Sequence, residues 1–536
     1  MRKIRTIFLA ILILFAISTV HSQIMYVSGP VIYNTSWSGD TVKIMGDVTV
    51  GPGVVLTIYP GTYVEAQGYY KIDVSGSIRA IGTAEDTIVF TVRDTSGFWH
   101  DEHSVSGGWA GFNFSNSILS PDTSIFEFCK IQYGKKYDNS GADIEGGVIK
   151  VTNYGNLVIK NSFLLNNMVI NHEYAGPVSR GGAVFCDGIN SVLITRNKFY
   201  RNRSFDRGGA IFIGEDNSAE ITGNTFISNK AWNFRYISGL HVSWGVGAAI
   251  ETYHTVGAGP NISGNYCFNN YTVEGIISSI NLGGIISNNL ICNNFGAGIS
   301  ATYYFSMVRI FNNTIVNNES IIGGIYYYCF PRIYNNIVWG NLSFPGQISD
   351  QIQRIENIYA VRFNNCLQYG DGGTNSTYKY PEFTNPSQGL GIEFNGAEAD
   401  WSLKDWSPCV NSGTADTTGL FIPEFDVNGN PRIFGVRIEM GCYENQSVLT
   451  GLNAESVSEK RTVVYPNPGT TQLNVASQED QAVFELIAIT GHVVARQPIG
   501  SGINTLNTES LESGIYLYRV VNQQNLILDG GKWIKN

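Results

Sequence analysis

Aspartate is missing from the whole stretch between Asn217 and Ser349, and charged residues of every kind make up only 15% of the 536-residue chain. So little charge leaves few solvated helix faces to build, whereas 60 glycines beside 29 tyrosines and 28 phenylalanines suit many short strands joined by tight turns. A net charge of -10 and the lack of a basic tail argue against nucleic acid as a partner. None of the eight cysteines forms a Cys-x-x-Cys pair or joins a His/Cys cluster, so no metal or other cofactor is expected. Beyond Ile17 no run is long and apolar enough to span a bilayer.

What the chain does have is one phrase repeated seven times between Val158 and Asn341: a β-branched residue, two spacers, Asn, one spacer, an apolar residue, two spacers, Asn. The first asparagines are Asn161, Asn197, Asn224, Asn265, Asn289, Asn313 and Asn336, and the second follow at Asn166, Asn202, Asn229, Asn270, Asn294, Asn318 and Asn341. The basic period, about 24 residues, is that of a solenoid. Side chains alternate along a strand, so each first Asn and the apolar residue two places on share the inward face. A Gly-led strand signal precedes most copies, as at Gly181-Gly182-Ala183-Val184-Phe185 and Gly208-Gly209-Ala210-Ile211-Phe212. Identical phrases one period apart stack parallel, like on like, and columns of inward amides then satisfy one another. The expectation is an all-β chain: a right-handed parallel β-helix solenoid followed by a small β-sandwich domain. In this respect the repeats resemble the right-handed parallel β-helix proteins, the fold of pectate lyases and many bacterial surface proteins.

Arg2, Lys3 and Arg5 precede the apolar run Ile7 to Ile17, which reads as a signal peptide over residues 1–22 cut after Ser22. Residues 23–105 form the N-terminal cap and first turns, 106–400 the solenoid and 401–447 its C-terminal closure. The phrases around Cys409, Asn428 and Cys442 resemble the closing segment of a bacterial surface β-helix family. Asp426, Asn428 and Asn430 alternate as in a calcium loop, but the required glutamate is missing and a turn is expected. Cys129 occupies an Asn slot of an earlier turn, and Cys409 with Cys442 is the best candidate for a disulfide. A polar linker, 448–460, leads to Tyr465-Pro466-Asn467-Pro468, Phe484 to Val494, Leu511 to Val520 and Lys532-Trp533-Ile534-Lys535. In order and spacing, residues 461–536 resemble the C-terminal sorting domain of the type IX secretion system. This implies the secretion machinery as a partner, export across the outer membrane to the surface or medium, and no membrane span once the signal is removed.

Two insertions, 167–180 and 230–246, enter at the same point of the repeat and emerge on one edge, walling a groove floored by arginines. Calcium-dependent pectate cleavage needs clustered aspartates, and polygalacturonase-like hydrolysis needs close carboxylates, usually with Gly-His-Gly; the chain offers neither set. A lyase using cationic groups needs only a basic groove. Its candidates are Lys198, Arg203, Arg207, His172 and His241 for proton transfer or charge neutralisation. Arg180, Arg201, Trp232, Tyr236, Trp244, Tyr253 and His254 are candidates for holding a glycan, the aromatics by stacking on sugar rings. The bland alternatives are solvated arginines on an outer face and aromatics packing a loop base. The reading adopted is an exported surface protein, glycan-binding or adhesin-like, that does not turn its ligand over; the rival is a polysaccharide lyase or hydrolase acting on an anionic polysaccharide in that groove.

Overall fold

The computed structural model describes residues 24–115, 123–138, 142–171, 178–188, 191–215, 218–237, 240–253, 259–281, 283–302, 306–320, 322–342, 350–354, 359–447, 462–523 and 527–536. It divides into two compact units, Met1–Val448 and Leu449–Asn536.

The first unit is a parallel β-helix. A representative turn contains Ser191–Thr195, Lys198–Tyr200, Arg203–Ser204 and Ile211–Ile213. Each strand pairs in parallel with its counterpart one turn on: Ile194 opposite Ile221, Phe199 opposite Phe226, Arg203 opposite Lys230 and Ile211 opposite Ile250. One buried apolar cluster runs through the coil from Trp37 to Leu367. The Gly-Gly pairs belong to a corner where the chain comes very close to the next turn. Gly181 has φ +68, and a Cβ on Gly182 would lie 2.1 Å from the Gly209 carbonyl oxygen.

Two amide columns line the inside. In the first, Asn197, Asn224, Asn265, Asn289, Asn313 and Asn336 each pass a side-chain N–H to the next Oδ1 at 2.9–3.1 Å, ending at Asn365. The second runs from Asn167 through Asn202, Asn229, Asn270, Asn294, Asn318 and Asn341 to Gln351. Asn161 is not a member, which corrects the sequence reading. Ser162 takes the place: its N–H donates to Asn197 Oδ1 at 2.9 Å and its Oγ accepts the Cys129 N–H at 3.0 Å, so Cys129 does hold an earlier slot. Asn161 instead has φ +50, and Phe163, expected inside, is 49% exposed. The slip has a physical cause. Every ladder asparagine is preceded by a residue in the left-handed region, where Asn and Gly are favoured, so two adjacent positions ask for asparagine for different reasons. In Asn161-Ser162 only the first is Asn, and an error of one residue exchanges inside for outside.

After the last turn, residues 372–377 cover the end of the coil at Asn365. The chain then folds back along the flank. Phe383, Trp401, Leu403, Cys409, Met440 and Cys442 pack on outward side chains of five turns, among them Phe268, Leu290, Val316 and Ile337. The stretch read as an end closure is therefore largely a lateral strap. The left-handed asparagines hold it: Asn269 donates to the Phe394 carbonyl at 2.7 Å, Asn293 to Gly389 at 2.8 Å, Asn312 to Glu439 at 2.9 Å and Asn364 to Ser412 at 3.1 Å. Asp426 Oδ1 accepts the N–H groups of Asn428 and Asn430, giving a turn. The candidate Cys409–Cys442 bridge is absent, since all eight cysteines are free and buried. Cys442 N–H bonds Thr314 on one turn, while the Cys409 thiol meets that of Cys366 on the last.

The second unit is an antiparallel sandwich. One sheet orders Thr462–Tyr465, Gln472–Ser477 and Gly502–Asn507; the other orders Val493–Ile499, Ala482–Ala488, Gly514–Val521 and Ile527–Lys535. Phe484, Leu486, Tyr518 and Trp533 fill the space between them. Among the described residues no helix is long and apolar enough to cross a membrane.

Candidate functional site

The second amide column creates a cationic corner. Asn202 points inward, so its neighbours Arg201 and Arg203 point outward, and one turn on Asn229 does the same for Ser228 and Lys230. These two rungs form the floor of a pocket of about 400 Å³ lined by Trp99, Arg201, Asn202, Arg203, Ser228 and Lys230. The wall is the loop 93–108. Buried Lys135, in the same outward row as Met168, Arg203 and Lys230, fixes this loop by donating to the carbonyls of Phe98, Asp101 and Ser106 at 3.1, 2.7 and 3.0 Å. Phe98 packs on Met168, Ile170 and Phe205. Trp99 is thereby held at the rim, 40% exposed.

Each cation rests on an aromatic ring. Arg201 lies 5.5 Å from the Tyr200 ring centre, Arg203 4.7 Å from Phe205, and Lys230 4.3 Å from Trp232 and 4.8 Å from Tyr271. Glu102, on the loop, pairs with Arg203. Burial first, and the Arg203 charge second, push the Lys230 ammonium down to about 8, against the pull of Glu102. Three cations face one carboxylate, an arrangement suited to a ligand with anionic groups and an apolar ring face.

The other arginines stand apart. Arg207 donates from Nε to Glu251 Oε1 at 2.8 Å and lies 4.3 Å over Tyr253. Arg180 pairs with Asp143 at 2.9 Å and lies 5.7 Å from the Phe212 ring centre. Glu251 is fully buried, and desolvation lifts its carboxyl to about 7 despite Arg207. Between the two clusters Phe205 is buried under Phe98 of the loop, and buried Asp206 accepts from Ser179 and Asn171. The single groove expected over all the arginines is therefore divided, with Arg201 and Arg203 on one side and Arg180, Arg207 and Tyr253 on the other.

Lys198 is exposed in the outward row Phe163, Lys198, Thr225, Tyr266, off the pocket lining. The insertions leave and rejoin the coil in register, Met168 beside Arg203 beside Lys230 and Arg180 beside Arg207 beside Val246. In the second insertion Asn233–Ile237 and Leu240–Trp244 form a hairpin, with Tyr236 opposite His241 and Asn233 opposite Trp244. His172 and His254 lie outside the described residues. Trp99, Glu102 and Lys230 were not among the sequence candidates. The signal available for the first two was Phe98-Trp99, large aromatics in a turn-rich stretch, which mark a packed loop rather than a free one. Among the described residues no group of three or more His, Cys, Asp or Glu could hold a metal ion.

The architecture is that of a parallel solenoid with an appended antiparallel domain. Residues 463–535 match the family described as the secretion system C-terminal sorting domain. The chain therefore carries a type IX sorting tail, which implies interaction with that machinery and indicates delivery to the cell surface or the extracellular space. No curated protein matches the chain.

Proposed function

We propose that the exported β-helix is a surface scaffold that binds an acidic glycan, without turning it over, in the pocket of Trp99, Arg201, Arg203 and Lys230. The observation that carries the reading is the convergence of three cations and one exposed indole on a pocket of about 400 Å³. Guanidinium and ammonium groups would neutralise uronate carboxylates while the indole stacks on a sugar face. The test is calorimetric titration with galacturonate oligomers and with neutral oligomers of equal length. Acidic oligomers are expected to bind, with Arg201→Ala and Lys230→Ala each weakening binding about tenfold. Equal affinity for neutral and acidic oligomers would sink the proposal.

Lys230 also sets a pH signature. Its folded-state value near 8 means that its charge, and with it the attraction for a carboxylate, is lost as pH rises through that region. Affinity should fall between pH 7 and about 9 and hold in Lys230→Arg, whose guanidinium stays charged. The same depressed ammonium favours a second reading, a lyase in which Lys230 takes the proton beside a carboxylate neutralised by Arg203. Absorbance from unsaturated products on incubation with uronate-rich polysaccharide separates the two.

A further inference from the structure

The outer face of the four-stranded sheet in the second unit is apolar where water should meet it. Ile487 lies directly opposite Val493 on one side and Leu517 on the other, and Ile515 lies opposite Ile534, so all five share a face. Their strand neighbours Phe484, Leu486, Tyr516, Tyr518 and Trp533 fill the opposite, inner face. Val493, Ile515 and Leu517 are 47%, 49% and 40% exposed. The outer face of the companion sheet is mixed: Gln472 opposite Asn507 and Asn474 opposite Thr505 stand across its middle, beside exposed Val463, Tyr465 and Ile503.

The border of the apolar face is cationic. Glu485 is shared between Arg496 at 3.0 Å and Arg519 at 2.6 Å, so one carboxylate serves two guanidinium groups. Exposed Lys532 stands opposite Leu517. A contiguous apolar patch with a polar rim marks a protein contact. We propose that this face is where a protein of the secretion machinery docks, through an apolar surface bordered by carboxylates. The proposal rests on the sorting role of residues 463–535, which requires a partner to read the domain. The excess of positive charge at the border selects the sign of that partner's rim.

The experiment expresses full-length variants in a bacterium carrying the type IX machinery and measures the exported fraction against the periplasmic one. Ile487→Glu with Leu517→Glu should cut export about tenfold, as expected when central apolar anchors are lost. Lys532→Glu should reduce it about threefold, and Asn474→Glu with Thr505→Glu, on the companion sheet, should export like the parent. Removing residues 449–536 should abolish export. Parental export of the Ile487/Leu517 variant alongside a block in the truncated chain overturns the docking face and leaves the sorting role standing; normal export of the truncated chain removes both. If thermal unfolding shows that the double variant has lost the fold of the sorting domain, Lys532→Glu decides, and its unchanged export overturns the proposal.

Discussion

At the scale of single residues, the protein uses asparagine for two unrelated tasks in adjacent positions. Asn289 Oδ1 accepts the backbone and side-chain N–H groups of Asn265 at 2.9 and 3.0 Å, and its own amide donates to Ile262 O and Asn313 Oδ1. Asn289→Ala would take the acceptor from two Asn265 N–H groups and one donor each from Ile262 O and Asn313 Oδ1, the latter keeping the residue-289 backbone N–H, at a cost of about 3 kcal/mol. Asn161 serves only the left-handed bend and donates weakly to Glu127 at 3.5 Å. Asn161→Gly keeps that backbone shape and should change stability by less than about 0.5 kcal/mol. Urea unfolding of the two variants checks the assignment; equal losses would contradict it. The tandem Asn312-Asn313 reads correctly from the repeat, whereas in Asn166-Asn167 the repeat points to Asn166, which takes the left-handed bend at φ +53, and Asn167 holds the column. Asn161-Ser162 misreads too, because nothing local says which demand the single Asn answers.

Among elements, the strap depends on amides that the solenoid turns outward. Asn293 donates to the carbonyls of Gly389 and Gly391, and Asn317 to Ser387 Oγ and the Gly389 carbonyl, at 2.8–3.3 Å. Replacing both by glycine preserves the positive φ of +54 and +52 and removes only the clamps. Hydrogen exchange over residues 386–394 should then quicken about tenfold, with the coil strands unchanged. Loss of protection in those strands instead would mean that the strap supports the coil rather than resting on it. The strap was only partly legible. Cys409, Cys442 and the turn at Asp426 were recognised as one closing segment, but a returning chain leaves no period in its own sequence, so its path along the flank could not be read.

For the whole molecule, the two units have separate cores, one closed around the coil and one between the two sheets of the sorting domain. Calorimetry of the full chain should therefore show two transitions, and removal of 449–536 should delete one and leave the midpoint of the other within about 2 °C. A single merged transition would show that they fold as one. The sequence by itself determined the coiled parallel architecture, most of both amide columns and the sorting tail, because each of these is written as a local phrase whose spacing fixes the side-chain direction. Only the tertiary structure decided the site. The pocket joins Trp99 to Arg203 and Lys230 across more than a hundred residues, and Phe205 and Asp206 split arginines that are near neighbours in sequence. Stacking in a solenoid brings together residues from successive turns, while a loop thrown over several turns brings its partners from wherever packing lets it lie.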